Sequence, residues 1–423
     1  MSQPDLLIVG AGTAGAALAG MAASAGLSVV CLERRALGDA GARWVNGVPG
    51  WQFASAGVAL PKGRELRGAG HTFHLVAGFG PTRVSVKSHD VMDVDMRLLV
   101  QRLHDEAAAA GAQMHEGVHV HSFDGATLST SKGKYTARYA VDASGLAGLG
   151  LLGRARPLPG DLCVAAQEVR EVANQERAKE FFLSRNVAPG ETLCFSGIAG
   201  GYSILNLRLD PEGVSILAGS IPQQDRPTGQ DLIDEIARQE PWIGPRLFGG
   251  ARAIPLARPR ARFARGRLAL LGDAAGQVFA AHGSGIGAGL LAARVLADCL
   301  VRDPGDLSGY CRDWYRSHGG SILAADLLRR FSETLSIDDI ELLMQCGVMN
   351  PESTRATLEQ RTPTLAEARA QRPRLSALAA RPGLLGRATK MLAKVPLCML
   401  AARAYPTQGP GPVWEAALDR VAS

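Results

Sequence analysis

The sequence predicts an α/β fold in which a dinucleotide-binding domain is interleaved with a β-rich domain and followed by a helical C-terminal region. Three observations carry this. An apolar run, Leu6 to Val9, breaks into Gly10-Ala11-Gly12-Thr13-Ala14-Gly15 and an Ala-rich helix. Two later apolar runs, Tyr139-Ala140-Val141-Asp142-Ala143-Ser144-Gly145 and Leu268-Ala269-Leu270-Leu271-Gly272-Asp273, also stop at small residues. The chain between them is short, alternating and punctuated by Gly and Pro, as strands are.

The first run is short enough for a buried parallel strand, and the glycines after it each have a task. Gly10 permits the tight turn, Gly12 lets backbone approach a pyrophosphate, and Gly15 lets the helix pack closely on the strand. The helix N-terminus then favours the phosphates. The helix stops at Gly26, and a second apolar strand, Leu27 to Leu32, ends in Glu33, where a carboxylate can accept from ribose hydroxyls. A Gly-rich helix start used only for packing would not need that acid.

After Glu33 come Arg34 and Arg35, then a Gly- and Ala-rich loop in which Arg43 is either a phosphate ligand or a solvated side chain. Gly57 to Lys87 reads as short strands, and Met96 to Ala110 as a helix with Leu98, Leu99, Leu103 and Ala107 on its apolar face. A strand is expected at Val118 to Ser122. His115, His119 and His121 alternate there, but no acid or cysteine joins them at ligand spacing, so an exposed strand edge is expected and no metal site. Strands follow at Asp161 to Val169, Ser203 to Leu209 and Val214 to Ser220, with a helix over Asn174 to Ser184.

The third apolar run places Asp273 to hydrogen-bond a polyol, and the loop QVFAAHGSGIGAG leads into a helix through Leu300. Beyond Phe331 the chain is helical in character, and Leu384 to Ala404 interleaves apolar residues with Arg387, Lys390, Lys394 and Arg403 around Pro396. Such a segment suits an anionic membrane surface or a cover over a pocket. The expected division is 1–44, 90–155 and 255–330 for the dinucleotide domain, 45–89 and 156–254 for the β-rich domain, and 331–423 for the helical region.

Composition excludes several classes. Among 423 residues, 46% are hydrophobic and 20% charged, an ordinary globular balance. The net charge of +6 allows weak attraction to anions, but no nucleic-acid motif accompanies it. Seven scattered cysteines with no C-x-x-C pair argue for reduced thiols in a cytoplasmic protein, and against a disulfide framework, a zinc site or thiol-disulfide flavin chemistry. No secretory signal and no membrane-spanning run are read from the sequence.

Taken together, GAGTAG with Glu33, VDASG, and LLGDAAG followed by GSGIG resemble the flavoproteins of the para-hydroxybenzoate hydroxylase type, above all the geranylgeranyl reductase branch. The resemblance spans about Leu6 to Leu300 and implies a Rossmann-like FAD-binding domain beside a β-rich substrate domain. It implies that Gly10, Gly12 and Gly15 cradle the FAD pyrophosphate and Glu33 binds the adenosine ribose. Asp273 would bind the ribityl or adjoining phosphate region, and Gly285-Ile286 would face the flavin N1/O2 edge. Ala11, Thr13, Ala14, Arg34, Arg43, Val120, Ala143, Gly145 and Gly272 complete the expected FAD contacts. The reductases often carry an arginine at the start of the helix after the inserted strands; here Met96 holds that place, and the carry-over goes to its neighbour Arg97.

Other departures concern the substrate. Ala280 stands where the family has a proline, the signature YxWxFP is reduced to Tyr202-Ser203-Ile204-Leu205-Asn206-Leu207, and the tryptophan-halogenase box WxWxIP is absent. The implied activity is FAD-dependent hydroxylation of an apolar or aromatic small molecule or reduction of its carbon-carbon double bond, with halogenation as the alternative. A flavin-binding protein without turnover, for electron transfer or sensing, is the reading from another class. Electrons would come from NAD(P)H or a separate flavin reductase, since there is no second GxGxxG. No catalytic base is assigned: His282 and Tyr202 are read first as a loop histidine and a core tyrosine.

Overall fold

The computed structural model describes residues 3–153, 157–223, 226–364, 366–367 and 374–422. Its first sheet has six strands in the order Ala264–Arg265, Leu268–Leu270, Tyr139–Asp142, Leu6–Val9, Val29–Leu32, Gln113–His115. All neighbours run parallel except the Ala264–Arg265 edge. Leu6 lies opposite Tyr139 on one side and Val29 on the other, and Ala140 lies opposite Leu268, so the three apolar runs are adjacent strands with Val29–Leu32 beside them. The side chains of Leu6–Val9, Val29–Leu32 and Tyr139–Asp142 are all buried, as expected for a parallel sheet covered on both faces. Helix Thr13–Ser24 packs against Met96–Ala109 and Ile286–Arg302, closely enough that a Cβ on Gly20 would lie 3.5 Å from the Ala107 Cα.

The second sheet has seven strands, ordered Ile243–Pro255, Leu162–Val172, Gly213–Ser220, Ser203–Asp210, Thr192–Ser196, Phe73–Ala77, Arg83–Val86. Neighbours are antiparallel except Thr192–Ser196 with Phe73–Ala77. One face is covered by Gln175–Leu183 and Gly229–Gln239, where Phe181, Phe182, Ile233 and Trp242 form a core. The other face looks toward the first sheet and is left partly open.

Several elements differ from the sequence reading. The strand expected at Val118 to Ser122 is Val120–Phe123, in a small sheet of its own with Thr127–Thr130 and Gly133–Thr136. The loop after Arg43 contains a strand, Val45–Pro49, paired with Val91–Asp95, and then a helix, Gly50–Ala56. The 13-residue strand Ile243–Pro255 carries two prolines and three glycines and is mostly exposed, so no alternation announced it. Its pairing with Leu162–Val172 creates it. The junction expected at 155/156 lies outside the described residues, and helix Gly320–Glu333 runs continuously across residues 330 and 331.

Among the described residues, the α-helices of the C-terminal region are Ile337–Gln345, Pro351–Leu358, Pro382–Arg403 and Pro412–Ala422. An aromatic cluster ties it down: Tyr315 stacks on Tyr405 with centroids 4.8 Å apart, and Trp414 meets both edge-on. Helix Pro382–Arg403 runs through Pro396 as a single element and packs against Gly320–Glu333. It buries Leu384, Ala388, Cys398 and Ala402, so it is part of the folded body.

Candidate functional site

The glycine turn is built at backbone contact distance. Gly10 has φ +105°, and a Cβ there would collide with the Ala143 carbonyl; a Cβ on Gly15 would fall on the Gly10 carbonyl oxygen. Gly12 has free space, the nearest atom to a Cβ being the Gly41 Cα at 3.6 Å. Since Gly12 is also the N-cap and offers no side-chain cap, the first N–H groups of the helix remain open to a ligand. His104 holds the turn from below, its Nε2 2.7 Å from the Ala11 carbonyl.

Glu33 is buried, and its two oxygens accept from the backbone N–H of Ala11 (3.0 Å) and of Arg35 (3.1 Å). A carboxylate has about four acceptor positions, so room remains for ribose hydroxyls. Asp142, in VDASG, turns inward instead: it accepts from Ser144 N, Ser144 Oγ and Leu149 N, which shapes the Ala143–Gly145 turn. Asp273 is the contrasting case. Its carboxylate has no hydrogen-bond partner among the described residues, and burial raises its pKa while Arg252 opposes the rise. A Cβ on Gly285 would sit 2.8 Å from Asp273 Oδ1, so glycine there keeps the space beside the acid clear.

These features open on one cavity of ≈ 1260 Å³ between the two sheets. Gly10, Gly12, Thr13, Ala14, Glu33, Arg34, Val120, Ala143, Gly145, Gly272, Asp273, Gly285 and Ile286 all line it. Ala11 and Gly15 do not; they serve the turn from behind. Arg43 pairs with Asp39 and the Gly38 carbonyl, and Arg97 with Asp95 at 3.0 Å, both outside the cavity lining. Each of these arginines has a nearer carboxylate than anything in the cavity, which the reading of loop position and motif register had passed over.

The sequence reading also missed Arg252, Ser284 and Gln360, which line the same cavity. Arg252 donates to the Gly41 carbonyl at 3.3 Å, reaching from the second sheet to the loop that packs beside Gly12. Only the pairing of Ile243–Pro255 brings it there. Tyr202 donates to the Ala280 carbonyl at 2.9 Å, and burial lifts its pKa well above the ordinary value, so it is a neutral, occupied phenol. His282 faces the cavity against Phe279, and burial lowers its pKa to about 4, which leaves it neutral at pH 7.

The donor set suits FAD. An open helix N-terminus and bare Gly12 would hold a diphosphate, Glu33 a ribose, and Asp273, whose carboxylate has no hydrogen-bond partner among the described residues, a polyol. The cavity also exceeds the roughly 300–1,000 Å³ of a usual small-ligand pocket, which leaves room for a second molecule.

No family model matches the chain. Digeranylgeranylglycerophospholipid reductase of Methanothrix thermoacetophila is 28% identical over 367 residues, covering 80% of this chain and 90% of that protein. Among solved structures, a geranylgeranyl bacteriochlorophyll reductase-like protein from Thermoplasma acidophilum has a TM-score of 0.69 at 16% identity, covering 92% of this chain and all of the other. A variant of the halogenase PltM in complex with FAD has a TM-score of 0.62 at 17% identity, covering 99% of this chain and 95% of that one. With motifs, fold and relatives in agreement, the chain is an FAD-dependent oxidoreductase, similar to the geranylgeranyl reductases.

Proposed function

We propose that the protein reduces a carbon-carbon double bond in a long apolar molecule of isoprenoid type. The observation that carries this is the end of the cavity away from the glycine turn, walled by Leu328, Phe331, Leu343, Met349, Met391 and Val395. FAD, when bound, supplies the reducing equivalents, drawn from NAD(P)H or a separate flavin reductase. The chain's own residues then bind the cofactor with Gly12, Glu33 and Asp273, exclude water with the apolar wall, and keep the cavity free of a histidine charge at His282. The reductase names of the relatives favour reduction over hydroxylation or halogenation, and the halogenase likeness is one of fold.

Each methylene buried in the apolar end should contribute on the order of 0.8 kcal/mol, roughly fourfold in affinity. A difference-absorbance titration of the flavin across a homologous alkyl or isoprenoid series is therefore expected to show affinity climbing with length. Tighter binding of small hydroxy acids or sugars than of every apolar compound would remove the reading. Product analysis after anaerobic reduction separates the chemistries: two added hydrogens mean reduction, while an added oxygen that requires air means hydroxylation.

The same reading includes contact with a membrane surface. No helix among the described residues is long and apolar enough to cross a membrane. Helix Pro382–Arg403 nevertheless exposes Leu392, Leu397 and Leu400 alongside Lys390 and Arg403. Leu392 also lines the cavity, as do Met391, Val395 and Pro396, so the apolar surface and the apolar end of the cavity meet at this helix. Apolar side chains flanked by cations suit an anionic lipid interface. The full chain is expected to float with anionic liposomes and the double variant Leu397→Gln, Leu400→Gln to float less. Equal flotation would sink the membrane proposal. Substitution is the proper test because truncation before Leu384 would strip buried residues from the core.

A further inference from the structure

A chain of buried amides ends at the loop expected beside the flavin. Gln52, on helix Gly50–Ala56, is 3% exposed, and Gln360, just past helix Pro351–Leu358, is 4% exposed. Gln52 Nε2 donates to Gln360 Oε1 at 3.2 Å, and Gln360 Nε2 donates to Ser284 Oγ at 3.0 Å. Both bonds point the same way. Such aligned bonds polarise one another in a low-dielectric interior. Ser284 has accepted from Gln360, and its own O–H has no acceptor among the described residues, while the residue lines the cavity. Its hydroxyl proton is therefore available to whatever occupies the cavity.

The arrangement is held in place at some expense to the backbone. Gln360 has φ +54°, a left-handed conformation that is unfavourable for a residue other than Gly, Asn or Asp. Neighbours pin the segment: Trp51 Nε1 donates to the Glu359 carbonyl at 2.8 Å, and Asp90 N to Glu359 Oε1 at 3.1 Å. Gln52 in turn occupies the space a side chain at Gly287 would need, since a Cβ there would overlap its Oε1. Ser284 itself is fixed by a bridge to Phe279, with Phe279 N donating to the Ser284 carbonyl at 2.8 Å. Strain, burial and a directed donor thus converge on one hydroxyl.

We propose that Ser284 donates this hydrogen bond to the pyrimidine edge of the flavin, with Gln52 and Gln360 as positioning residues that aim it. This rests on FAD occupying the cavity with the Gly283–Gly285 loop at that edge. Reduction adds negative charge to that part of the ring, so an aligned donor favours the reduced cofactor. The role of the C-terminal region is then to deliver Gln360 to Ser284.

The test is the midpoint potential of the FAD-loaded protein, measured by equilibration with a reference dye. Ser284→Ala is expected to lose about tenfold in the preference for reduced over oxidised flavin, a fall of about 30 mV for a two-electron couple. Ser284→Thr, which keeps the hydroxyl, should stay near the wild type, and Gln360→Met should fall in the same direction as Ser284→Ala. An unchanged potential in Ser284→Ala with FAD still bound overturns the proposal. So does an equal fall in Ser284→Thr, because the effect would then belong to packing. If Gln360→Met does not fold, the two serine variants decide the matter. Wild-type protein that fails to take up FAD at all would instead remove the cofactor reading beneath it.

Discussion

Gly15→Ala is expected to destabilise the protein by about 3 kcal/mol or more and to abolish FAD retention. The added Cβ would fall on the Gly10 carbonyl oxygen and come within 3.2 Å of the Ala143 Cβ, so backbone at the centre of the first sheet must move. No flexible side chain is available to yield. Gly12→Ala is the matched control. Its Cβ would have 3.6 Å to the nearest atom, and the backbone is at φ −68°, which alanine adopts freely. Thermal unfolding of the cofactor-free Gly12 variant should match the wild type while its FAD affinity falls, because the methyl occupies the phosphate approach. Equal melting temperatures for Gly15→Ala and wild type would overturn this account of the turn.

Asp273→Ala and Glu33→Ala should each weaken FAD by roughly 1.5–3 kcal/mol, or ten- to hundredfold, the usual contribution of a hydrogen bond to a charged group. Their effects on the cofactor-free protein should differ in sign. Glu33 also caps the Ala11 and Arg35 N–H groups, so its loss leaves buried donors unpaired and lowers stability. Asp273 has no hydrogen-bond partner among the described residues, and burial raises its pKa against the opposing charge of Arg252. A carboxyl group whose folded pKa lies above its unfolded value contributes stability at low pH that is lost as pH rises through the folded pKa. Asp273→Asn should therefore make the cofactor-free protein no less stable at neutral pH, and more so relative to wild type as pH rises from about 4 toward neutrality. Fluorescence titration with FAD and thermal melts across pH read both effects. Unchanged FAD affinity in both alanine variants would show that neither acid meets the cofactor.

The residues that local geometry governs were legible in the chain. Gly10, Gly12 and Gly15 are set by φ and by backbone contact within a few residues, and Glu33 sits at the end of the adjacent strand, so spacing alone brings it to Ala11. Asp273 was legible for the same reason: its strand ends beside Asp142 in a parallel sheet whose edges align. Arg43 and Arg97 were placed by loop position and motif register, and nothing in those says that Asp39 and Asp95 are within reach.

By itself, the sequence determined the three buried parallel strands, the bare glycine turn and the two acids, because each depends on backbone sterics or on the period of apolar residues over short distances. Tertiary structure alone decided the rest. Arg252 enters the cavity only through the pairing of an exposed, glycine-broken strand, and the amide chain joins Gln52 to a residue 308 positions away. The apolar end of the cavity needs helix Pro382–Arg403 laid against Gly320–Glu333, where Met391 and Val395 complete a wall begun by Leu328 and Phe331. Contacts of that kind arise from packing between elements whose own patterns are satisfied in many arrangements, so no local signal in the chain announces them.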